Sequence, residues 1–291
     1  MTDHHLFTAD EYGDSEDLLG KWFAANPDKR KDIFLCTKFA IQRDKTPGSH
    51  AFSVDTSPEY CRKAIEKSLG RLGLPYVDLY YVHRLDKVTP IEKTMEVLVE
   101  LKNAGKIKYI GLSDCSAESL RRAHAVHPIS CIQVEYNPGQ IDIEKVGLLE
   151  AARALGVAIV AYSPLGNGFL GGTLRQKEDF SGPGDPRGVL PWLNPDNFEK
   201  NQLALNEITE IAKEKRVTVA QLTLAWILAQ GDDVFAIPGT TKISRLEENL
   251  ASLSVELSRE EERKIREVAQ KIAGGSFHRK TGYSFADTPA L

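Results

Sequence analysis

Strand-like and helix-like runs alternate along the whole of this 291-residue chain, and that alternation limits its fold more than any other feature. Six apolar runs rich in β-branched and aromatic residues stand out: Asp32–Phe39, Leu79–His83, Lys108–Asp114, Cys131–Asn137, Ala158–Ser163 and Val234–Ile237. Each is followed by at least one segment with helical periodicity. Short runs that are apolar throughout read as strands buried on both faces, and strict β-α alternation calls for a parallel sheet. No GxGxxG follows the first run, which counts against a doubly wound dinucleotide-binding sheet. At 291 residues the length is ordinary for one α/β barrel.

The helices carry their own punctuation. Ser57-Pro58 combines a hydroxyl N-cap with proline in the first turn, and Gly73 closes the helix they open. Thr89…Glu92, Thr218…Gln221, Ser244…Glu247 and Ser258…Glu261 have the spacing of capping boxes. One helix is expected from Ile143 to Leu155, ended by Gly156. Two stretches lack periodicity and are expected to be loops: Ile41–Thr56, with Pro47 and Gly48, and Pro164–Pro195, rich in Gly and Pro. Loops of that length inside a compact domain are usually functional.

A formal net charge of −4 argues against nucleic acid or an anionic membrane as the main partner. No run approaches the roughly 18 apolar residues of a membrane span. The opening MTDHHLFTADEYGD is polar and acidic, unlike a signal or transit peptide. The four cysteines, Cys36, Cys61, Cys115 and Cys131, lie far apart, which fits neither a zinc site nor a secreted disulfide framework. The expectation is a cytoplasmic protein with free thiols and no metal.

Chemistry in parallel α/β folds collects where strands end. His83 stands at such an end, and other strand ends are equally pointed. They read Thr8-Ala-Asp-Glu-Tyr12-Gly13, Thr37-Lys38, Val82-His83-Arg84, Gly111-Leu-Ser113-Asp114 and Gln133-Val-Glu-Tyr-Asn, then Ala161-Tyr162-Ser163-Pro-Leu165-Gly166-Asn-Gly168 and Ile237-Pro-Gly239-Thr240-Thr-Lys242-Ile-Ser-Arg245-Leu-Glu-Glu248-Asn249. In that order and at those spacings the chain resembles the aldo-keto reductase family over nearly its whole length. It looks most like the fungal and bacterial NADP-dependent members with D-T-A-D-x-Y-G and A-Y-S-P-L-G motifs.

The resemblance implies an α/β fold, a (β/α)8 TIM-type barrel in one domain over 1–291, and reduction of an aldehyde or ketone with NADPH. Tyr12 would give the proton, Lys38 would tune it, and His83 would orient the carbonyl oxygen. Ser113, Asp114 and Gln133 would hold the nicotinamide carboxamide, and Tyr162 would stack on the ring. Backbone donors of Ser163, Leu165, Gly166 and Gly168 would meet the pyrophosphate. Behind the cofactor-binding turn at Gly239, Thr240, Lys242 and Arg245 would take the adenosine 2′-phosphate at a helix start, and Glu248 and Asn249 would reach adenine.

The chain departs from the pattern in two ways. Phe7 stands where the motif has its leading aspartate, the usual partner of the lysine, and family members often have Asn where this chain has Asp114. Only six residues precede Phe7, so the chain looks like a family member lacking its first two strands and first helix. On that reading the strands leading to Lys38 and Gly239 have unpaired edges and the Tyr12 loop is poorly anchored. An active reductase, an inactive NADP-binding homologue and a truncated product without a stable fold all remain open.

Overall fold

The computed structural model describes residues 4–44, 46, 51–172, 176–180, 185–275 and 282–291. Met1–Asp3, Pro47, Gly48 and part of Pro164–Pro195 lie outside these. The chain forms two compact units. The first comprises Met1–Ile132 with Ala154–Val157 and Tyr283–Leu291, and the second Gln133–Arg153 with Ala158–Gly282.

The first unit begins with strand β1 (His4–Phe7), helix α1 (Ser15–Ala25) and strand β2 (Ile33–Phe39). A short antiparallel pair follows, β3 (Ile41–Arg43) with β4 (Phe52–Val54). Then come α2 (Pro58–Leu72), β5 (Val77–Val82), α3 (Ile91–Asn103), β6 (Ile107–Ser113) and α4 (Ala117–Val126). Strands β1, β2, β5 and β6 are parallel neighbours in that order. All six expected runs are strands, and β1 makes a seventh that the sequence reading did not count. It corrects a second expectation, because β2 is paired on both sides and offers no open edge at Lys38.

Every residue of β5 is buried. Its one charged member, Asp78, is tolerated because Arg30 and Lys108 pair with it at 2.7 and 2.8 Å and the Leu35 amide donates to it at 2.9 Å. Gly111 of β6 lies opposite Tyr81 in register, and a Cβ there would meet the Tyr81 ring at 2.5 Å. α2 buries Cys61, Ala64, Ile65, Ser68, Leu69 and Leu72, a helical stripe. Ser57 caps it by accepting the Tyr60 amide, and Gly73 ends it at φ 63°.

Strand β7 (Cys131–Glu135) divides its residues between the units. The second unit continues with α5 (Asp142–Lys145), α6 (Leu148–Ala154), β8 (Ala158–Tyr162), α7 (Pro195–Lys215), α8 (Val219–Leu228), β9 (Val234–Ala236), α9 (Ile243–Ala251) and α10 (Arg259–Ala269). β9 runs parallel to β8. The capping boxes before α8 and α10 form as expected.

Four local expectations fail for identifiable reasons. The helix foreseen over Ile143–Leu155 is broken at Gly147, whose φ is 71°. Thr89 does not cap α3, because its hydroxyl donates to Asp86 at 2.8 Å. Ser244 lies inside α9, whose N-cap is Lys242. The supposed loop Ile41–Thr56 contains the β3–β4 pair, too short for its alternation to show.

Candidate active site

The first unit gathers Tyr12, Lys38, His83, Ser113 and Asp114 at or just beyond the carboxyl ends of β1, β2, β5 and β6. The parallel ladder causes this. Hydrogen bonding to β2 continues past the end of β1, with the Thr8 amide donating to Cys36 at 2.9 Å and the Asp10 amide to Lys38 at 3.1 Å. The turn carrying Tyr12 is thereby laid beside Lys38. Across the next pair, the His83 amide donates to the Phe39 carbonyl at 2.8 Å.

The Tyr12 turn is firmly held, contrary to expectation. The Arg71 guanidinium of α2 donates to the Asp10 carbonyl at 3.1 Å and to the Gly13 carbonyl. It pairs with Glu16 at 3.0 Å and Asp17 at 2.7 Å. Glu16 is fully buried and also accepts the Thr37 hydroxyl at 2.7 Å. Nothing in the spacing of the sequence pointed to Arg71.

Lys38 Nζ lies over the Tyr12 ring, 5.0 Å from its centroid, and 5.9 Å from that of Tyr81. The Tyr12 and His83 rings meet edge to face at 5.8 Å. Glu11 Oε1 is 3.8 Å from His83 Nδ1, and Glu11 also pairs with Arg43. Burial pushes the Lys38 ammonium down to about 8, Arg84 adds to this, and Cys36, Glu11 and Asp10 oppose it. Desolvation and Glu11 raise the Tyr12 phenol above its ordinary value, whereas Arg84 and Arg43 pull it down. Because Tyr12 is 44% exposed, that desolvation is partial. Asp10 is buried, accepts the Tyr60 hydroxyl at 3.4 Å and is raised to about 7, chiefly by desolvation.

Arg84, beside His83 in the strand-end motif, is a site residue to which the sequence attaches no role. It is buried with His83, Ser113 and Asp114. Its guanidinium reaches the Asp114 carboxylate at 2.9 Å, the Ser113 hydroxyl at 3.0 Å and the His83 carbonyl at 2.7 Å. Asp114 takes a left-handed backbone at φ 49°, which aspartate adopts more readily than most side chains.

The second unit holds the other predicted residues. Buried Gln133 has no hydrogen-bond partner for its Nε2 among the described residues. After Tyr162, the turn through Leu165 has left-handed backbone at Ser163, Gly166, Asn167 and Gly168, with φ of 47°, 53°, 54° and 100°. Runs of this kind form the concave amide nests that bind anions. Two amides expected to face a pyrophosphate instead close the turn: Gly166 donates to Ser163 and Gly168 to Leu165, both at 2.9 Å. Gly239 and Thr240 precede α9, and the Lys242 amide donates to the Thr240 hydroxyl at 3.1 Å. Lys242 and Arg245 are exposed, Glu248 is half-buried, and Asn249 is the buried residue of the helix.

The sequence profile described as the Aldo/keto reductase family matches residues 4–270. The chain is 46% identical to aldo-keto reductase str7 of Strobilurus tenacellus, over 96% of this chain and 81% of that protein. It is 44% identical to aldo-keto reductase yakc [NADP(+)] of Schizosaccharomyces pombe, over 96% of this chain and 83% of that protein. Among solved structures, glycerol dehydrogenase AKR11B4 from Gluconobacter oxydans superposes with a TM-score of 0.82 at 26% identity, covering 99% of this chain and 84% of that one. With the profile and the curated relatives spanning most of its length, this chain belongs to the aldo-keto reductase family.

Proposed function

We propose that the chain, acting as one cytoplasmic domain, reduces a small aldehyde or ketone to the alcohol with NADPH, Tyr12 giving the proton. The observation that carries this reading is the convergence of Tyr12 with Lys38 and His83, at 5.0 and 5.8 Å between ring centroid and ammonium or imidazole. NADPH, when bound, supplies the hydride. The chain's own groups handle the proton and the orientation. His83 donates to the carbonyl oxygen, and Tyr12 passes its proton to that oxygen as charge develops there. The cations nearby favour the phenolate that remains.

The residues present fit such a cofactor. The unpartnered Nε2 of Gln133 is a buried donor awaiting an acceptor, and the left-handed turn after Tyr162 suits a pyrophosphate. Ser113 and Asp114 are assigned to the carboxamide, and Tyr162 to the ring. Ser163 and Leu165 are assigned to the pyrophosphate through their amides, with Gly166 and Gly168, whose amides close the turn, letting the backbone approach it closely. Gly239, Thr240, Lys242 and Arg245 are assigned to the 2′-phosphate, and Glu248 and Asn249 to adenine. The NADP(+) in the name of the fission-yeast relative agrees with that choice.

One observation favours a second reading, an NADP-binding homologue without turnover. Phe7 occupies the motif's aspartate position, and the described polar partner of Lys38 Nζ is a main-chain carbonyl. Incubating the protein with NADPH and a panel of aldehydes decides between them. Aldehyde-dependent loss of absorbance supports the reductase, whereas NADPH binding with no such loss across the panel supports the second reading.

A further inference from the structure

We propose that Arg84 is a positioning residue of this site: it holds the Ser113 hydroxyl and the Asp114 carboxylate as a matched donor and acceptor for a primary carboxamide and ties both to the main chain of His83. The proposal rests on the NADPH-binding reading above and deepens it.

The chemistry follows from what each group can do. A guanidinium only donates. At 3.0 Å its Nη1 therefore donates to Ser113 Oγ, and the hydroxyl proton of Ser113 must point away from Arg84. Nη2 donates to Asp114 Oδ2 at 2.9 Å, which fixes the carboxylate as an acceptor and balances its charge in a buried position. A hydroxyl donor beside a carboxylate acceptor is the complement of one ligand group in particular. A primary carboxamide offers a carbonyl oxygen to the first and an NH2 to the second, in one orientation and not its flip.

The third donation, from Nη1 to the His83 carbonyl at 2.7 Å, links this pair to the imidazole that meets Tyr12. The Asp114 carbonyl in turn accepts the Ala286 amide at 3.0 Å, which helps to hold its left-handed backbone. A planar fork can serve three partners at once. A lysine ammonium, being a compact point charge, cannot hold this arrangement even though it keeps the charge.

The test compares binding of NADPH with binding of its reduced 3-acetylpyridine analogue, in which a methyl group replaces the amide nitrogen, both followed by quenching of protein fluorescence. The parent should prefer NADPH about tenfold, as expected for one charge-assisted hydrogen bond. Arg84→Lys and Arg84→Gln should each bind NADPH more weakly while binding the analogue nearly as before, so that the preference disappears. A role confined to stability would lower the melting temperature and leave the preference intact in the molecules that remain folded. A parent that binds both cofactors equally overturns the proposal without reference to any variant. So does either variant that keeps the parent's preference. A parent that binds neither removes the NADPH reading itself, and the proposal with it.

Discussion

The ammonium of Lys38 closes on the main-chain carbonyl of Thr8 at 2.9 Å. A carbonyl satisfies a donor but brings no net charge, so the contact repays only part of the desolvation of a side chain only 1% exposed. This is the physical reason its pKa falls to about 8.

The first prediction is a basic limb in the rate of carbonyl reduction. With its pKa lowered to about 8, Lys38 is a cation below that pH and neutral above it. The kcat/KM for reduction should therefore fall as pH rises through about 8. Lys38→Arg, charged throughout, should lose the limb whatever its absolute rate. A limb that persists unchanged in Lys38→Arg would assign it to another group.

The second prediction concerns Phe7. It pairs with Cys36 across the β1–β2 ladder, and alternation along β2 puts Cys36 and Lys38 on one face, so Phe7 shares that face with Lys38. Phe7→Asp should give the ammonium a charged partner, move the basic limb to higher pH and raise turnover. The measurement is the pH profile of the variant beside that of the parent. A limb left in place, with turnover equal or lower, would say that residue 7 does not reach the lysine.

Much of this arrangement was legible in the sequence, and the exceptions are instructive. Strands β2 and β5 to β9 announce themselves because short, largely apolar runs rich in β-branched and aromatic residues survive most contexts. β1 does not, since His4-His5-Leu6-Phe7 has no alternation and becomes a strand only through its register with β2. Tyr12, Lys38 and His83 were visible as motif positions. Arg71 and Arg84 were not, because their roles come from contacts 55 and 29 residues away, to Glu16 and Ser113. Charge at a helix end or beside a histidine reads as a solvated face until packing shows otherwise. The turn glycines are a finer case: they mark the turn after Tyr162, but the amides of Gly166 and Gly168 serve the turn itself.

The third prediction addresses cofactor choice. Lys242 caps the start of α9 and is exposed, so its charge is free to meet an anion. A hydrogen bond to a phosphate is worth roughly 1.5–3 kcal/mol. Lys242→Glu should weaken NADPH binding about tenfold or more and leave NADH nearly unaffected. Titrating both cofactors against parent and variant checks this. Equal weakening of the two would detach Lys242 from the 2′-phosphate.

The fourth prediction is about the support of the Tyr12 turn. Arg71 pairs with Glu16, which is fully buried, and with Asp17, whose side chain is 46% exposed. The two contacts look alike on distance, at 3.0 and 2.7 Å, but differ in consequence. Removing the guanidinium strands a carboxylate that keeps, among the described residues, only the Thr37 hydroxyl, and breaking a buried pair in this way costs about 3–5 kcal/mol. It also frees the carbonyls of Asp10 and Gly13 on either side of Tyr12. Arg71→Met should therefore melt well below the parent and lose turnover with it. Glu16→Gln added to Arg71→Met should recover part of the stability by removing the stranded charge, without restoring turnover, because the carbonyls remain unheld. Asp17→Asn should cost much less stability than Arg71→Met and leave turnover in place, since its carboxylate is half exposed and the variant strands no buried charge. Thermal melts and steady-state rates on these variants separate the contributions, and an Arg71→Met protein that melts with Asp17→Asn would show that the buried pair does not anchor the turn.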